Sequence, residues 1–291
     1  MKPFESADEL YGHVINSVLN DGKRVEPRGH ACLEKLGVTL RLANPSQNVI
    51  TSRRRKLSYH FMVAEWAWIT AGLDDVASIA PYNKRISEFS DDEWTFFGAY
   101  GPRIYRDMSG VLGLLKRDPD TRQAVVCTWR PEVYQFTTKD VPCTLTLQFF
   151  IRRGALDLHV NMRSNDVWLG LPYDLFTMTQ IQRSIALALG VDVGEYVHHV
   201  GSLHIYEHDL DNAERYTSDD PADVLAVSRE PSPPPPPWGK RLLGLGLVKF
   251  CRDWMSGVSV APSPDNEYAC VLAHRFDKTT VLGPYFARVI P

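Results

Sequence analysis

One cysteine, one arginine and two aspartates, Cys143, Arg163, Asp166 and Asp174, fall inside a single stretch, VPCTLTLQFFIRRGALDLHVNMRSNDVWLGLPYD, from Val141 to Asp174. Alternation puts Leu145, Leu147, Phe149 and Ile151 on one face of a strand and Thr144, Thr146 and Gln148 on the other. Arg152-Arg153-Gly154 supplies a turn. The returning strand carries Leu156, Leu158, Val160 and Met162 on its apolar face and Asp157, His159, Asn161 and Arg163 on its polar face. Such a pairing lets Cys143 meet Arg163. A guanidinium beside a thiol favours the thiolate, the nucleophilic form, and arginine keeps its charge near neutral pH. Cys143 is therefore a candidate nucleophile; its plainer role would be that of a small buried hydrophobe.

Other chemistry-bearing groups lie outside that hairpin. Glu65 sits among Phe61, Val63, Ala64, Trp66, Trp68 and Ile69 in a helix predicted from about Ser58 to Thr70, and a carboxylate in such company needs a partner or a proton. Asp174 falls in the first turn of a helix with Pro172 at its start, running to Leu189 and stopping at Gly190. A carboxylate there complements the helix dipole even if it does nothing else. On a strand over 195–206, His204 and Tyr206 project to one side and can serve one sugar hydroxyl region. His198 and His199 read as ordinary strand residues rather than metal ligands.

Pro142-Cys143, then Arg163-Ser164-Asn165-Asp166-Val167-Trp168-Leu169-Gly170-Leu171-Pro172-Tyr173, then Gly194-Glu195-Tyr196 and His204-Ile205-Tyr206 stand in an order and spacing that resembles the thymidylate synthases and the related pyrimidine-nucleotide hydroxymethylases. Weaker correspondence runs back to Ala64-Glu65-Trp66-Ala67-Trp68 and Tyr100-Gly101. The resemblance implies an α+β, layered fold with a bent mixed sheet, flanking helices and a homodimer formed through the sheet. It implies Cys143 as the nucleophile that adds to the pyrimidine 6-carbon and Glu65 as the general acid/base. Arg163, Ser164, Arg28 and the partner subunit's Arg122 would bind the phosphate of a nucleoside monophosphate, with Arg24 competing for the place of Arg28. His204 and Tyr206 would hold the sugar and Tyr100 would lie near the base. Asp166 and Trp68 would serve 5,10-methylenetetrahydrofolate as the one-carbon donor, with no metal required.

Two departures from the synthase pattern bear on the substrate: Thr144 follows the nucleophile where synthases have histidine, and Asp174 stands where they have asparagine. Uracil offers an N3–H donor and an O4 acceptor, which one amide satisfies; cytosine offers an N3 acceptor and an N4 amino donor. An aspartate can accept from that amino group and, when it shares a proton, donate to N3. Asp174 therefore belongs with the substrate-binding and catalytic groups, on a cytosine base. The resemblance to the family's cytidylate enzymes, which add water rather than hydride to the 5-methylene intermediate, implies 5-hydroxymethylation of dCMP or CMP. The alternatives are a thymidylate synthase acting on dUMP and a nucleotide-binding relative without turnover. Retention of Cys143, Glu65 and Arg163 together speaks against the last.

The elements that must position these groups come from a 291-residue chain that is 44% apolar, enough for one large domain or one domain with a decoration. A net charge of −3 is not the footprint of a nucleic-acid-polymer binder, though it allows a local basic pocket for one phosphate. Five scattered cysteines form neither a disulfide framework nor a CxxC pattern, which suits a reducing compartment. No leader or membrane span is evident, so the expectation is a cytoplasmic protein. Periodicity predicts a helix over 6–20 behind a Ser6 cap and a strand over 36–43. The Arg53–Lys56 run reads as a solvated face, residues 94–106 as a loop over a pocket, 107–116 as a helix and 123–129 as a strand. The catalytic domain is expected over 1–217, with 218–291 a proline-rich extension packed on it. In that extension the VLAVS segment looks strand-like, Pro233–Pro237 reads as a stiff surface connector, and helices are expected near 240–255 and 264–275.

Overall fold

The chain begins with α1 (Ala7–Asp21), whose Ser6 side chain caps the Glu9 amide, followed by β1 (Lys23–Val25) and β2 (Cys32–Leu42). Then come α2 (Tyr59–Thr70), α3 (Val76–Ile79), α4 (Tyr100–Arg117), β3 (Val125–Cys127), β4 (Thr144–Arg152), β5 (Ala155–Asp166), α5 (Leu171–Leu189) and β6 (Asp192–Tyr206). Helices α6 (Leu210–Thr217), α7 (Glu267–His274) and α8 (Phe286–Val289) complete it. The structure is a computed structural model that describes residues 2–134, 137–217, 226–236, 238, 262 and 266–290. The predicted helix near 240–255 lies outside the described residues, as do Val224 and Leu225; the rest of the VLAVS segment, expected to be strand-like, is instead a 3-10 turn over Ala226–Arg229.

The strands form one six-stranded sheet in the order β1-β2-β6-β5-β4-β3. Neighbours are antiparallel except β5 and β6, which run parallel and are joined by α5, the crossover that a parallel pair requires. The β4–β5 hairpin turns at Arg153 and Gly154, with φ of 54° and 78°, where glycine is favoured. Leu156, Leu158 and Val160 are fully buried and Met162 nearly so, which fixes the register because a one-residue slip would expose them all. Above this face lies α5, and α2 packs on α5 with α4 and α7 against it. That enclosure explains why α2 is apolar almost all round: Met62, Val63, Ala64, Trp66 and Ala67 are all buried.

Several local expectations change. Helix α4 starts at Tyr100, so half of the expected 94–106 loop is helical, because Gly101 lets the first turn seat against Leu73, whose carbonyl would lie 2.4 Å from an added Cβ. Strand β2 begins at Cys32 and pairs with β6 through Tyr206, while β3 is only three residues long. The basic run is not uniformly solvated. Arg55 is buried, donates to Tyr11 Oη at 3.0 Å and to the Trp168 carbonyl, and lies 4.4 Å over the Trp168 ring. The proline segment is not a free surface connector either. Proline carbonyls have no strand partners, and here they meet buried donors: Tyr268 Oη donates to Pro233 O at 2.5 Å and Ser184 Oγ to Pro236 O at 2.5 Å. Arg183 donates to Ser232 Oγ and O, clamping the segment to α5. Helix α7 joins the same core, its Tyr268 ring 4.7 Å from Trp66.

Candidate active site

Cys143 stands just ahead of β4, where the β4–β5 register shifts between Thr144 and Thr146. The bulge turns Thr144 into the core, fully buried, and leaves Cys143 half-buried at the strand mouth. Its backbone is held from two sides. The amides of Cys143 and Thr144 both donate to Tyr100 Oη at 3.1 Å, and the Cys143 carbonyl accepts from the Arg163 amide at 2.9 Å. The Arg163 guanidinium donates to the carbonyls of Val141 and Pro142, each at 2.9 Å, and reaches Cys143 Sγ at 3.6 Å.

That geometry changes one expectation. Arg163 does pull the thiol pKa down, as does Arg28, but burial pushes it up further and Asp174 and Asp140 add to the rise, so the net shift is upward. In the ligand-free protein Cys143 is a thiol at neutral pH.

Asp174 is near enough to act on this thiol, and Glu65 is near enough to feel the charge of Asp174. Glu65, half-buried on α2, has no hydrogen-bond partner among the described residues, and burial followed by the charge of Asp174 raises its pKa to about 8. Asp174, on the first turn of α5, accepts from Asn165 Nδ2 at 2.7 Å; burial lifts its pKa to about 7 even though that bond pulls the other way. Asp174 ionises first, beside a neutral Glu65, and its charge then keeps the Glu65 proton on. Around neutral pH the site thus holds one protonated carboxyl ready to give a proton and a second poised between states. Asp174 is turned toward Asn165 and the site rather than outward.

The remaining predicted groups are placed as follows. Arg28 is exposed on a turn with φ of 55°, makes no ion pair or hydrogen bond among the described residues, and is near enough for Cys143 to feel its charge. Arg24 is paired with Glu207 at 3.2 Å. Ser164 is half-buried opposite Ser202 on β6. The rings of His204 and Tyr206 meet edge to face at 4.9 Å. Asp166 Oδ1 accepts from the amides of Trp168 and Leu169 at 2.8 and 3.0 Å, so one oxygen shapes the turn into α5 and the other carries no hydrogen bond among the described residues. Arg122 is exposed beside β3 and is not gathered with the thiol cluster in one chain. Trp68 is 5% exposed, packs on Phe96 and donates to Asp75 O at 3.1 Å.

Two residues escaped the sequence reading. Asn165 and His198 are buried at 3% and 0% exposure, and His198 Nε2 meets Asn165 Oδ1 at 2.9 Å while its Nδ1 meets Tyr196 Oη at 2.6 Å. A buried polar residue next to Asp166 in the motif was the available signal; the strand partner that explains it lies 33 residues away. Among the described residues no group of three or more His, Cys, Asp or Glu could hold a metal ion, and no helix is long and apolar enough to cross a membrane.

The thymidylate synthase family model matches residues 9–231. The chain belongs to the thymidylate synthase family. The matched range includes every site residue named above and ends within the proline-bearing segment. Among similar members, a deoxyuridylate hydroxymethyltransferase of Bacillus phage SP01 is 35% identical over 240 residues, 76% of this chain and 62% of that protein. The match thus spans under two thirds of that relative's length. Thymidylate synthase 1 of Bacillus subtilis (strain 168) and the thymidylate synthase of Bacillus phage phi3T are each 26% identical over 230 residues, 70% of this chain and 81% of theirs. Family membership accounts for the layered α+β architecture with its mixed sheet.

Proposed function

We propose that the chain is a one-carbon transferase that hydroxymethylates the 5-carbon of a cytosine nucleotide, dCMP or CMP. The observation that carries this reading is the carboxyl of Asp174 beside Glu65 and Cys143, where an amide would suit uracil. The similarity to a phage hydroxymethyltransferase supports transfer at the hydroxymethyl level. That relative's name specifies deoxyuridylate, which favours a second reading, hydroxymethylation of dUMP. Reductive methylation of dUMP is a third.

In the proposed reaction Asp174 donates a proton to N3, which makes the 6-carbon electrophilic. The Cys143 sulfur then bonds to that carbon as its own proton passes to solvent, and the C5=C6 electron pair becomes available at the 5-carbon. Bound methylenetetrahydrofolate supplies the one-carbon unit. Asp166, with one carboxyl oxygen uncommitted beside Leu169 at 46% exposure, fits a flat heterocycle that carries N–H donors. Glu65 handles protons at the exocyclic 4-amino group and at the donor's departing nitrogen. Loss of the 5-carbon's proton and of the donor nitrogen leaves a 5-methylene group; a water oxygen bonds to that methylene carbon as the C6–S bond breaks, the water proton going with the departing Cys143 sulfur, which restores the ring and leaves a 5-hydroxymethyl group. Arg28, Arg163 and Ser164 take the phosphate, and His204 with Tyr206 the sugar.

We further propose a homodimer through the sheet face opposite α5, which presents half-buried Thr146, Gln148, Phe150, His159 and Asn161, with Arg41 bonded to Glu195 at 2.6 Å. That dimer would bring Arg122 to the partner's phosphate. Sedimentation velocity at micromolar concentration should give twice the chain mass; an active monomer would refute it.

The substrate assignment is tested by incubating the protein with methylenetetrahydrofolate and dCMP, CMP, dUMP or UMP and weighing the products. Asp174→Asn should shift preference toward uracil by about tenfold to several hundredfold, since an ionised carboxylate facing O4 leaves two acceptors unpaired at roughly 1 to 3 kcal/mol or more. If Asp174 only complements the helix dipole, stability falls by a few tenths of a kcal/mol and the base ratio stays put.

A further inference from the structure

Behind Asp174 runs a buried chain of hydrogen bonds that the reaction as described does not use. Tyr196 Oη lies 2.6 Å from His198 Nδ1, His198 Nε2 lies 2.9 Å from Asn165 Oδ1, and Asn165 Nδ2 lies 2.7 Å from Asp174 Oδ2. We infer that Tyr196, His198 and Asn165 form a one-way positioning relay, which holds Asp174 Oδ2 as a fixed acceptor, confines the carboxyl proton to Oδ1 and thereby sets the choice of base.

The direction follows from one hydroxyl. Tyr196 is fully buried, and His198 Nδ1 is the only hydrogen-bond partner of its side chain among the described residues. A buried O–H has to donate, so Nδ1 is the acceptor and the ring carries its proton on Nε2. Nε2–H then donates to Asn165 Oδ1, which leaves the asparagine amino group to donate to Asp174. Running the chain backwards would strand the tyrosine proton in the core. Burial pushes the His198 pKa down to about 3, so the imidazole stays neutral and keeps this tautomer. Gly170 closes over the last link: a Cβ there would lie 3.1 Å from Asn165 Nδ2 and 3.4 Å from Asp174 Oδ2.

The consequence is a loss of ambiguity. A free carboxylic acid can match either base by moving its proton, because cytosine asks for an acceptor at the 4-amino group and a donor at N3, and uracil asks for the reverse. With a proton barred from Oδ2, only one assignment survives. Resting on the cytosine reading above, Oδ2 receives the 4-amino group and Oδ1 serves N3. The titratable groups around Asp174 are Glu65 from α2, Tyr100 from α4, Cys143 ahead of β4, Asp166 at the end of β5 and Tyr196 on β6. None of them brings a positive charge, so the Asn165 N–H is what favours the ionised form.

The test compares wild type, Asn165→Ala and Tyr196→Phe by kcat/KM for cytosine and uracil nucleotides across pH. In Asn165→Ala the base ratio should fall toward unity by about tenfold or more, and the limb belonging to Asp174 should move up by roughly one pH unit. Tyr196→Phe should shift both in the same directions by less, and it decides the matter alone if Asn165→Ala does not fold. Folded variants with a lowered Tm but the wild-type ratio and limb would overturn the relay. A wild type that prefers uracil would defeat the cytosine reading, while a ratio that still collapses in Asn165→Ala would uphold the relay.

Discussion

Cys143→Ala should abolish turnover, by about 10⁴-fold or more, while nucleotide affinity stays within about threefold. Both halves follow from how the residue is held. The Tyr100 hydroxyl grips the backbone amides of residues 143 and 144, and Arg163 grips the carbonyls of Val141 and Pro142. None of these bonds needs the sulfur, so the phosphate and base contacts survive its loss. What disappears is the atom that, in the proposed mechanism, bonds to the 6-carbon. Calorimetric titration with each nucleotide measures affinity, and a single-turnover incubation with methylenetetrahydrofolate measures chemistry. Product formed at the wild-type rate by the variant would end the covalent mechanism.

The hairpin that carries Cys143 and Arg163 was legible because a two-residue period, a turn at Arg153-Gly154 and a fully buried face all demand one register. The bulge at Thr144 was not legible: a threonine looks polar, and only the pull of the core under β4 turns it inward. For the same reason the sequence overstated thiolate character. A guanidinium can be recognised in a motif, but the burial that outweighs it, and the charges of Asp174 and Asp140 that add to it, depend on segments brought together only by the fold. Arg55 shows the converse, since a run of four basic residues hides one whose partners, Tyr11 and Trp168, lie 44 and 113 residues away. His198 looked ordinary because its meaning rests on a parallel strand pairing, β5 with β6, that brings Asn161 opposite His199 and Asn165 within reach. The proline run misled for a chemical reason. Its composition signals stiffness, and stiffness is compatible with either a free spacer or a strap clamped by Arg183 and Tyr268.

Glu65→Gln should move activity and stability in opposite directions, and that divergence separates a catalytic group from a structural one. As a general acid the protonated form is the working one, so kcat/KM in wild type should decline as pH rises through about 8, where Glu65 titrates in the free enzyme. The amide holds no transferable proton. It should lose about 10²-fold or more at pH 7, and the limb near pH 8 should vanish from what activity remains. Stability carries the other sign. In the unfolded chain Glu65 titrates near 4.5, and in the folded chain near 8, so between those values the native state binds more protons. Its contribution is fully present below pH 4.5 and is lost as pH climbs toward 8, by an amount on the order of a few kcal/mol. Glutamine, neutral throughout, escapes this loss. The Tm of Glu65→Gln should therefore stay near that of wild type at pH 5 and exceed it at pH 8.5, in melts of the ligand-free protein. A Tm that falls equally at both pH values, or a rate loss confined to nucleotide affinity, would remove Glu65 from the proton path.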